Sequence, residues 1–376
     1  MKILDIKTYR LEAALAEPFA YSQAWYDRRG ALLVEIVGED GSSGWGEAFG
    51  PPLLTAPVVD FYKPLLIGAD AFATELHWQN LYNRLRDHGQ KGLAIEALSA
   101  VDIALWDLKG RHLGLAVHQL MGGPLRSRVQ AYATGFYRKR DGDPLSYLID
   151  EARQRADAGF SAIKLKLGFG IDEDIRLCRE VRRAVGDTMT ITVDANHAYD
   201  ATAAIRVGRQ IEDLDIAWFE EPVPPEDLQG YRQVKSALRI PIAGGEAEFT
   251  RWGFRSILTD RAIDILQPDV CAAGGISECK KIADMANAFG VRVNPHVWGT
   301  GVALAASLQL IATLPDNPPG LNPIPSLLEL DQSEHPIRMA VLREPIRHQA
   351  GWVEIPTGRG LGIEIDRTAV AKFLIS

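Results

Sequence analysis

Residues 190–196 read TITVDAN, a short β-prone run that ends on an acidic residue and decides how the rest of the chain is interpreted. Two similar runs follow, IAWFEEP at 216–222 and IPIAGGE at 240–246. Their acids Asp194, Glu220 and Glu246 are spaced 26 residues apart in both intervals, about one strand–helix unit. Because the carboxyl ends of parallel strands meet at one rim, the spacing predicts that three carboxylates converge there.

Further strand-like runs extend this pattern in both directions. They are VQAYAT (129–134), AIKLKLG (162–168), DILQPD (264–269), VRVNPH (291–296) and SLLELD (326–331). Amphipathic segments such as 172–185 and 201–212 separate the runs, and no strand is followed by the G-x-G-x-x-G of a dinucleotide-binding fold. Seven or eight repeated units predict an α/β protein with a (β/α)7β TIM-type barrel.

The two ends of the chain differ from this repeat. Residues 1 to about 50 have the pattern of strands and residues 57 to 121 that of helices, most clearly 94–111. We therefore predict an α+β domain over residues 1–125, the barrel over 126–340, and a C-terminal segment, 341–376, that returns to the first domain.

Composition narrows the class of protein. The 376 residues carry a formal net charge of -8, with 49 acidic and 41 basic residues, which argues against nucleic-acid and anionic-membrane binding. The three cysteines form no C-x-x-C pair, which argues against structural zinc and disulfides and favours a reducing compartment. The N-terminus lacks a signal-peptide apolar run, and the most apolar stretch, 302–314, is too short to cross a bilayer. We expect a cytoplasmic enzyme that acts on a small molecule.

The converging acids indicate a metal centre. Each acid alone is compatible with a helix cap or a surface loop, but three buried carboxylates at one rim repel one another unless a cation lies among them. Oxygen ligands without cysteine or histidine favour Mg²⁺, with Mn²⁺ as the second choice.

Two lysines lie beside these acids. Lys164 and Lys166 alternate with apolar residues in SAIKLKLG, so they share one face of a strand. On an exposed antiparallel strand that face would be solvated, whereas both faces of a parallel barrel strand are normally buried. Like-charge repulsion and desolvation lower a lysine pKa, which suits a catalytic base. We expect one lysine to take a proton and the other to neutralise a bound carboxylate.

A second acid/base pair is predicted farther along. Asp269 ends DILQPD and His296 follows 27 residues later, so adjacent strand ends can place the carboxylate against the imidazole. Glu329 falls near the eighth strand end as a hydrogen-bonding acid, although a structural role is equally compatible. Asn196, His197 and Trp298 are candidate substrate contacts, with loop or core roles as alternatives.

Six ordered motifs resemble the mandelate racemase subgroup of the enolase superfamily: K-x-K at 164–166, VDAN at 193–196, FEEP at 219–222, GGE at 244–246, QPD at 267–269 and PHVWGTG at 295–301. The resemblance implies an N-terminal capping domain, metal ligands Asp194, Glu220 and Glu246, a base at Lys166 and a His296–Asp269 dyad on the opposite face. The resemblance selects Glu220 rather than Glu221 as the metal ligand, a choice that spacing alone does not make. It also implies a homo-oligomer, a dimer or an octamer.

Within that subgroup the chain resembles the D-galactaro-1,4-lactone cycloisomerases, through YDRR (26–29), AYATG (131–135) and GLGIEI (360–365) among others. The resemblance implies β-elimination that opens an aldarolactone. It places substrate specificity in two capping loops, Phe19–Tyr26, with Tyr21 and Trp25, and Phe49–Thr55. Dehydration of an open-chain acid sugar, racemisation or epimerisation, muconate-type cycloisomerisation and a non-catalytic paralogue remain as alternatives.

Overall fold

A computed structural model describes residues 1–375. In it the capping domain is an antiparallel sheet covered by helices. Its strands are β1 (Ile3–Ala20), β2 (Trp25–Gly38) and β3 (Ser43–Ala48), and its helices are α1 (Pro52–Leu66), α2 (Thr74–Leu85), α3 (Leu93–Leu113) and α4 (Val117–Leu120). Glycines let α3 lie close to β3, since a Cβ on Gly46 would lie 2.0 Å from the Ala100 carbonyl oxygen. Strand alternation then turns the Glu47 side chain away from α3.

The second domain is a parallel barrel. Its eight strands are β4 (Arg128–Thr134), β6 (Ala162–Lys166), β7 (Thr190–Asp194), β8 (Ile216–Glu220), β9 (Ile242–Gly244), β10 (Ile265–Leu266), β11 (Arg292–Val293) and β12 (Leu328–Asp331), while the short β5 (Arg138–Lys139) pairs with β1. The intervening helices are α5 (Pro144–Asp157), α6 (Ile171–Val185), α7 (Ala201–Ile211), α8 (Leu228–Ala237), α9 (Thr250–Thr259), α10 (Gly275–Ala288) and α11 (Gly301–Ile311). Because β12 pairs in parallel with β4, the predicted (β/α)7β barrel is confirmed.

Strand register brings the predicted site residues to one level. Lys166 lies opposite Asp194 on the neighbouring strand, and Asp194 lies opposite Glu220 on the next. Glu246 follows β9 after Gly245, whose φ of 122° turns the chain there. All four residues therefore lie at the carboxyl ends of the strands, as the 26-residue spacing predicts for the three acids.

The C-terminal segment contacts both domains. Strands β13 (His348–Gln349) and β14 (Trp352–Glu354) extend the barrel sheet, with β14 antiparallel to β4. Helix α12 (Arg367–Phe373) packs on β1, and the Ile375 amide donates to the Arg10 carbonyl at 2.9 Å. These contacts agree with a segment that returns to the first domain, and the boundaries at residues 125 and 340 stay predictions. Among residues 1–375, no helix has the length and apolarity needed to cross a membrane.

One buried carboxyl in the capping domain gives a stability prediction. Glu96 on α3 lies beneath the turn at Gly50, where an added Cβ would fall 2.0 Å from Glu96 Oε2. That oxygen has no hydrogen-bond partner among the described residues, and burial raises the Glu96 pKa to about 7. The folded protein therefore prefers the protonated carboxyl.

We expect Glu96→Gln to stabilise the protein at pH 8 but not near pH 4.5. Between about pH 4.5 and 7 the native state holds a proton that the unfolded state has released, so wild-type stability falls as the pH rises. The shift corresponds to about 3 kcal/mol at full extent. Urea unfolding of both proteins at four pH values measures the difference, and a difference independent of pH would contradict the assignment.

Candidate active site

Three carboxylates form a cluster at the barrel mouth. One oxygen each of Asp194, Glu220 and Glu246 lies within 4.8 Å of the others, with the first two side chains buried and the third partly buried. They come from the third, fourth and fifth barrel strands, in the order that the sequence predicts. Oxygen donors at such separations can hold one divalent cation.

Neighbouring groups orient these oxygens. The Asn196 amide donates to Asp194 Oδ1 at 2.8 Å, while Trp218 Nε1 and Gln267 Nε2 donate to Glu220 Oε2 at 3.1 and 2.7 Å. Glu221 points elsewhere, because its φ of 42° turns the chain and leaves Oε2 3.0 Å from His197 Nδ1. The geometry therefore agrees with the assignment of Glu220 rather than Glu221 to the cluster.

Both lysines face the carboxylates. Lys164 Nζ lies 2.5 Å from Glu220 Oε1 and 2.7 Å from Glu329 Oε1. Lys166 Nζ lies 2.6 Å from Asp194 Oδ2 and donates to Asn196 Oδ1 at 3.0 Å. These contacts bring the two lysines and Glu329 into one charged network.

The expected lowering of the lysine pKa values is wrong for this structure. Burial favours the neutral amine, but the surrounding carboxylates more than offset it, so the pKa of Lys164 and that of Lys166 are both raised. The sequence shows that the lysines share a face, whereas the distance of Asp194 from Lys166 becomes known only from the fold.

The histidine pair lies on the other side of the cluster. His296 Nδ1 is 2.6 Å from Asp269 Oδ2, and the Cys271 amide holds the second Asp269 oxygen at 2.6 Å. His296 Nε2 is 3.5 Å from Glu246 Oε2. Burial disfavours the imidazolium, but the charge of Glu246 and the Asp269 hydrogen bond raise the pKa of His296 to about 10.

A cavity of about 220 Å³ opens between the barrel mouth and the capping domain. It is lined by Tyr21, Tyr26, Phe49, Tyr137, Lys166, Asn196, His197, Glu246, Ala247, His296, Trp298 and Glu329. A larger groove of about 460 Å³ lies beside α5 and contains none of the predicted site residues. The smaller cavity is the candidate active site, because the charged side chains converge there and not in the larger groove.

The structure does not bring Trp25 into the cavity. Its side chain is 48% exposed, and the Arg140 guanidinium lies 5.4 Å from its ring. Alternation along β2 turns Tyr26 toward the site and Trp25 the opposite way. Sequence reasoning also missed Tyr137 and Ala247, although Tyr137 follows three residues after Thr134 ends a barrel strand.

A capped barrel whose mouth holds a carboxylate triad between a lysine and a histidine–aspartate pair defines a class of enzyme. Residues 4–122 match the mandelate racemase / muconate lactonizing enzyme N-terminal domain, and residues 147–369 match the enolase C-terminal domain-like family. The chain therefore belongs to the mandelate racemase and muconate lactonizing enzyme family of the enolase superfamily.

Its relatives are cycloisomerases and dehydratases, so the chain is an isomerase or lyase. It is 48% identical over 99% of both chains to D-galactarolactone cycloisomerase of Agrobacterium fabrum. It is 34% identical over 96% of both chains to arabinonate dehydratase of Saccharolobus solfataricus. The crystal structure of the 3,6-anhydro-D-galactonate cycloisomerase from Zobellia galactanivorans superposes with a TM-score of 0.91, at 37% identity over 100% of both chains.

Proposed function

We propose that this chain is a Mg²⁺-dependent cycloisomerase that opens D-galactaro-1,4-lactone. The observation that carries the proposal is the 48% identity with D-galactarolactone cycloisomerase across 99% of both chains. The site supports it, because Lys166, His296 and the carboxylate triad that α-proton removal requires all line or adjoin one cavity.

The residues at the barrel mouth fit a divalent cation. Asp194, Glu220 and Glu246 each place one oxygen within 4.8 Å of the others in a largely buried site, and a divalent cation would relieve their mutual repulsion. We propose Asp194, Glu220 and Glu246 as the ligands, with Mg²⁺ preferred for their oxygen donors. When bound, the ion would supply positive charge for the substrate carboxylate and would offset the carboxylate charge that raises the pKa of Lys166 and of His296.

Lys166 and His296 are the proposed proton-transfer groups. The triad comes from the third to fifth strands, so it lies between Lys166 on the second strand and His296 after the seventh. A substrate carbon held over the triad has an amine on one side and an imidazole on the other. Either group can remove the α-proton, according to the configuration of that carbon. Asp269 fixes the His296 ring through Nδ1, which leaves Nε2 to face the substrate.

The leaving group explains why the elimination step needs no general acid. The C–H bond next to the free carboxylate breaks, its electron pair forms a carbon–carbon double bond, and the bond from the β-carbon to the ring oxygen breaks. The proton stays on Lys166 or His296, and the ring oxygen departs as a carboxylate that needs no proton. Return of the proton to carbon, with loss of the enol hydroxyl proton to solvent, converts the enol to a 3-deoxy-2-keto-hexarate, which in its acid form is an isomer of the lactone.

Dehydration of an open-chain acid sugar is the second candidate. The 34% identity with arabinonate dehydratase over 96% of both chains favours it. In that reaction hydroxide must leave as water, so an acid has to protonate it. We propose His197 for this role, because it lines the cavity with its Nδ1 3.0 Å from Glu221 Oε2.

Proton NMR in D₂O distinguishes these reactions. The enzyme with Mg²⁺ is incubated with galactarolactone and with open-chain galactarate and galactonate. We expect the lactone alone to give a 3-deoxy-2-keto acid. Reaction of only the open-chain acids would establish a dehydratase, and α-proton exchange without elimination would establish an epimerase.

We propose that the protein assembles as a homo-oligomer, as the family resemblance implies. Large apolar side chains on α1 are exposed in the single chain, among them Leu54, Phe61 and Leu65. Burial of such a surface stabilises subunit association. Light scattering during size-exclusion chromatography measures the mass, and a monomer at micromolar concentration would contradict the proposal.

A further inference from the structure

The capping domain holds a buried carboxylate against the loop that carries His296. Glu47 is only 2% exposed and lies near the end of β3. The Thr300 amide donates to Glu47 Oε1 at 2.8 Å, while the Thr300 hydroxyl and the Ala303 amide donate to Oε2 at 2.5 and 2.9 Å. The donors belong to Thr300, the N-cap of α11, and to Ala303 in its first turn, and α11 begins five residues after His296.

This carboxylate suits its position, because the amino end of a helix presents free amides and a partial positive charge. Within the barrel, Thr300 already caps α11 by accepting from the Val302 amide at 3.2 Å. The additional acceptor therefore comes from a different domain. An added Cβ on Gly299 would lie 2.6 Å from Glu47 Oε1, so the carboxylate also lies directly against the loop.

Two further contacts hold the same loop from the capping domain. Arg29, 3% exposed, donates from Nη2 to the Trp298 carbonyl at 2.9 Å, and its guanidinium carbon lies 3.7 Å from the Trp298 ring centroid. Phe49, two residues after Glu47, sets its ring edge-on to the His296 ring at 5.5 Å and donates its amide to the Cys271 carbonyl at 3.1 Å. Capping-domain residues thus hold the chain on both sides of the His296–Asp269 pair.

We propose that Glu47 is a positioning residue for His296: it fixes the loop 297–300 and thereby the placement of the imidazole relative to Asp269 and the substrate. Glu47 touches no residue of the triad and lies outside the cavity lining, so it acts through the loop. The inference rests on the proposed function for its kinetic test, and it also has a test that needs no substrate.

Glu35 provides a matched control. It is 1% exposed on the adjacent strand of the same sheet and accepts hydrogen bonds from the Tyr9 and Ser43 hydroxyls, each at 2.6 Å, but has no link to the His296 loop. Glu47→Gln and Glu35→Gln each replace a buried, hydrogen-bonded carboxyl of the same sheet with its isosteric amide, although Glu35 in addition pairs with Arg367. A merely structural role for Glu47 predicts equal effects of the two substitutions on activity.

The kinetic experiment compares these variants at saturating Mg²⁺. For Glu47→Gln we expect kcat on the lactone to fall by about 10- to 100-fold with KM changed less than about threefold, because a misplaced proton-transfer group loses rate more than binding. Glu35→Gln is expected to keep wild-type kcat. Equal losses in the two variants, or a loss confined to KM, would overturn the proposal.

The substrate-free experiment follows the His296 ring by proton and ¹⁵N NMR of histidine-labelled protein, with His296→Asn to assign the Nδ1–H signal. We expect that signal to shift or broaden in Glu47→Gln and to stay unchanged in Glu35→Gln. An unchanged signal in Glu47→Gln overturns the inference. If the wild-type enzyme leaves the lactone unchanged, the proposed function fails, and this measurement still decides the role of Glu47.

A second pair of variants tests the proposal in case Glu47→Gln does not fold. Thr300→Val keeps the side-chain shape and removes the hydroxyl that donates to Glu47, whereas Thr300→Ser keeps the hydroxyl. We expect Thr300→Val to reproduce the kcat loss and the NMR change in part, and Thr300→Ser to restore wild-type values. Identical behaviour of the two variants would contradict the proposal.

Discussion

Lys166→Ala is expected to lower kcat on the lactone by about a thousandfold or more, the range that general acid–base groups contribute. The substitution removes the amine that lies 2.6 Å from Asp194 Oδ2 and faces the cavity. His296→Asn removes the imidazole on the other side of the triad and is expected to cause a comparable loss. Stopped assays with NMR detection of the keto acid measure both effects.

Two controls separate loss of chemistry from loss of structure. Lys235→Ala removes a lysine that pairs with Asp264 at 2.9 Å, away from the cavity lining, and is expected to keep wild-type activity. Exchange of the α-proton in D₂O identifies the base, because a variant that lacks only the second group continues to exchange. Near-normal turnover by both Lys166→Ala and His296→Asn would contradict the two-base mechanism.

Glu246→Gln is expected to weaken Mg²⁺ binding by at least about 100-fold, because it removes one of the three proposed anionic ligands. Turnover at low Mg²⁺ is expected to fall in proportion and to recover partly at high Mg²⁺. Calorimetric titration of the metal-free protein with Mg²⁺ measures the affinity directly.

The matched control for this prediction is two residues away. Glu248 pairs with Lys91 at 2.7 Å and does not belong to the triad. Glu248→Gln is therefore expected to bind Mg²⁺ like the wild-type protein. Unchanged affinity in Glu246→Gln, or an equal loss in both variants, would remove Glu246 from the proposed ligand set.

The sequence predicts most of the barrel site because its information is local and periodic. Asp194, Glu220 and Glu246 recur at the length of one strand–helix unit, so their meeting follows from the fold class. The alternation of Lys164 and Lys166 likewise places them on one face of a strand. The direction of the pKa shifts of the two lysines cannot be predicted in this way, since it depends on their distances to Glu220 and Asp194 on other strands.

Contacts between the two domains cannot be predicted from local and periodic sequence patterns. Trp25 and Tyr26 are adjacent aromatic residues, and only the register of β1 and β2 decides which of them faces the cavity. Glu47 meets Thr300 across 253 positions in the chain, and no local pattern signals that pairing. The two predicted capping loops do supply Tyr21, Tyr26 and Phe49 to the cavity lining, whereas the outward orientation of Trp25 and the contribution of Tyr137 and Ala247 became known only from the fold.

The return of the C-terminal segment has a consequence for how the protein is made. Strand β1 is synthesised more than 340 residues before Leu374 and α12, yet it pairs with the first and packs against the second. Glu35 on β2 likewise forms its ion pair with Arg367 of α12. Domains generally fold during synthesis from the N-terminal side. The capping domain is expected to depart from this order and to finish after the barrel, because its contacts with α12 form only when that helix has been synthesised. The lid over the active site is thus completed last, once the catalytic strands beneath it are already in place.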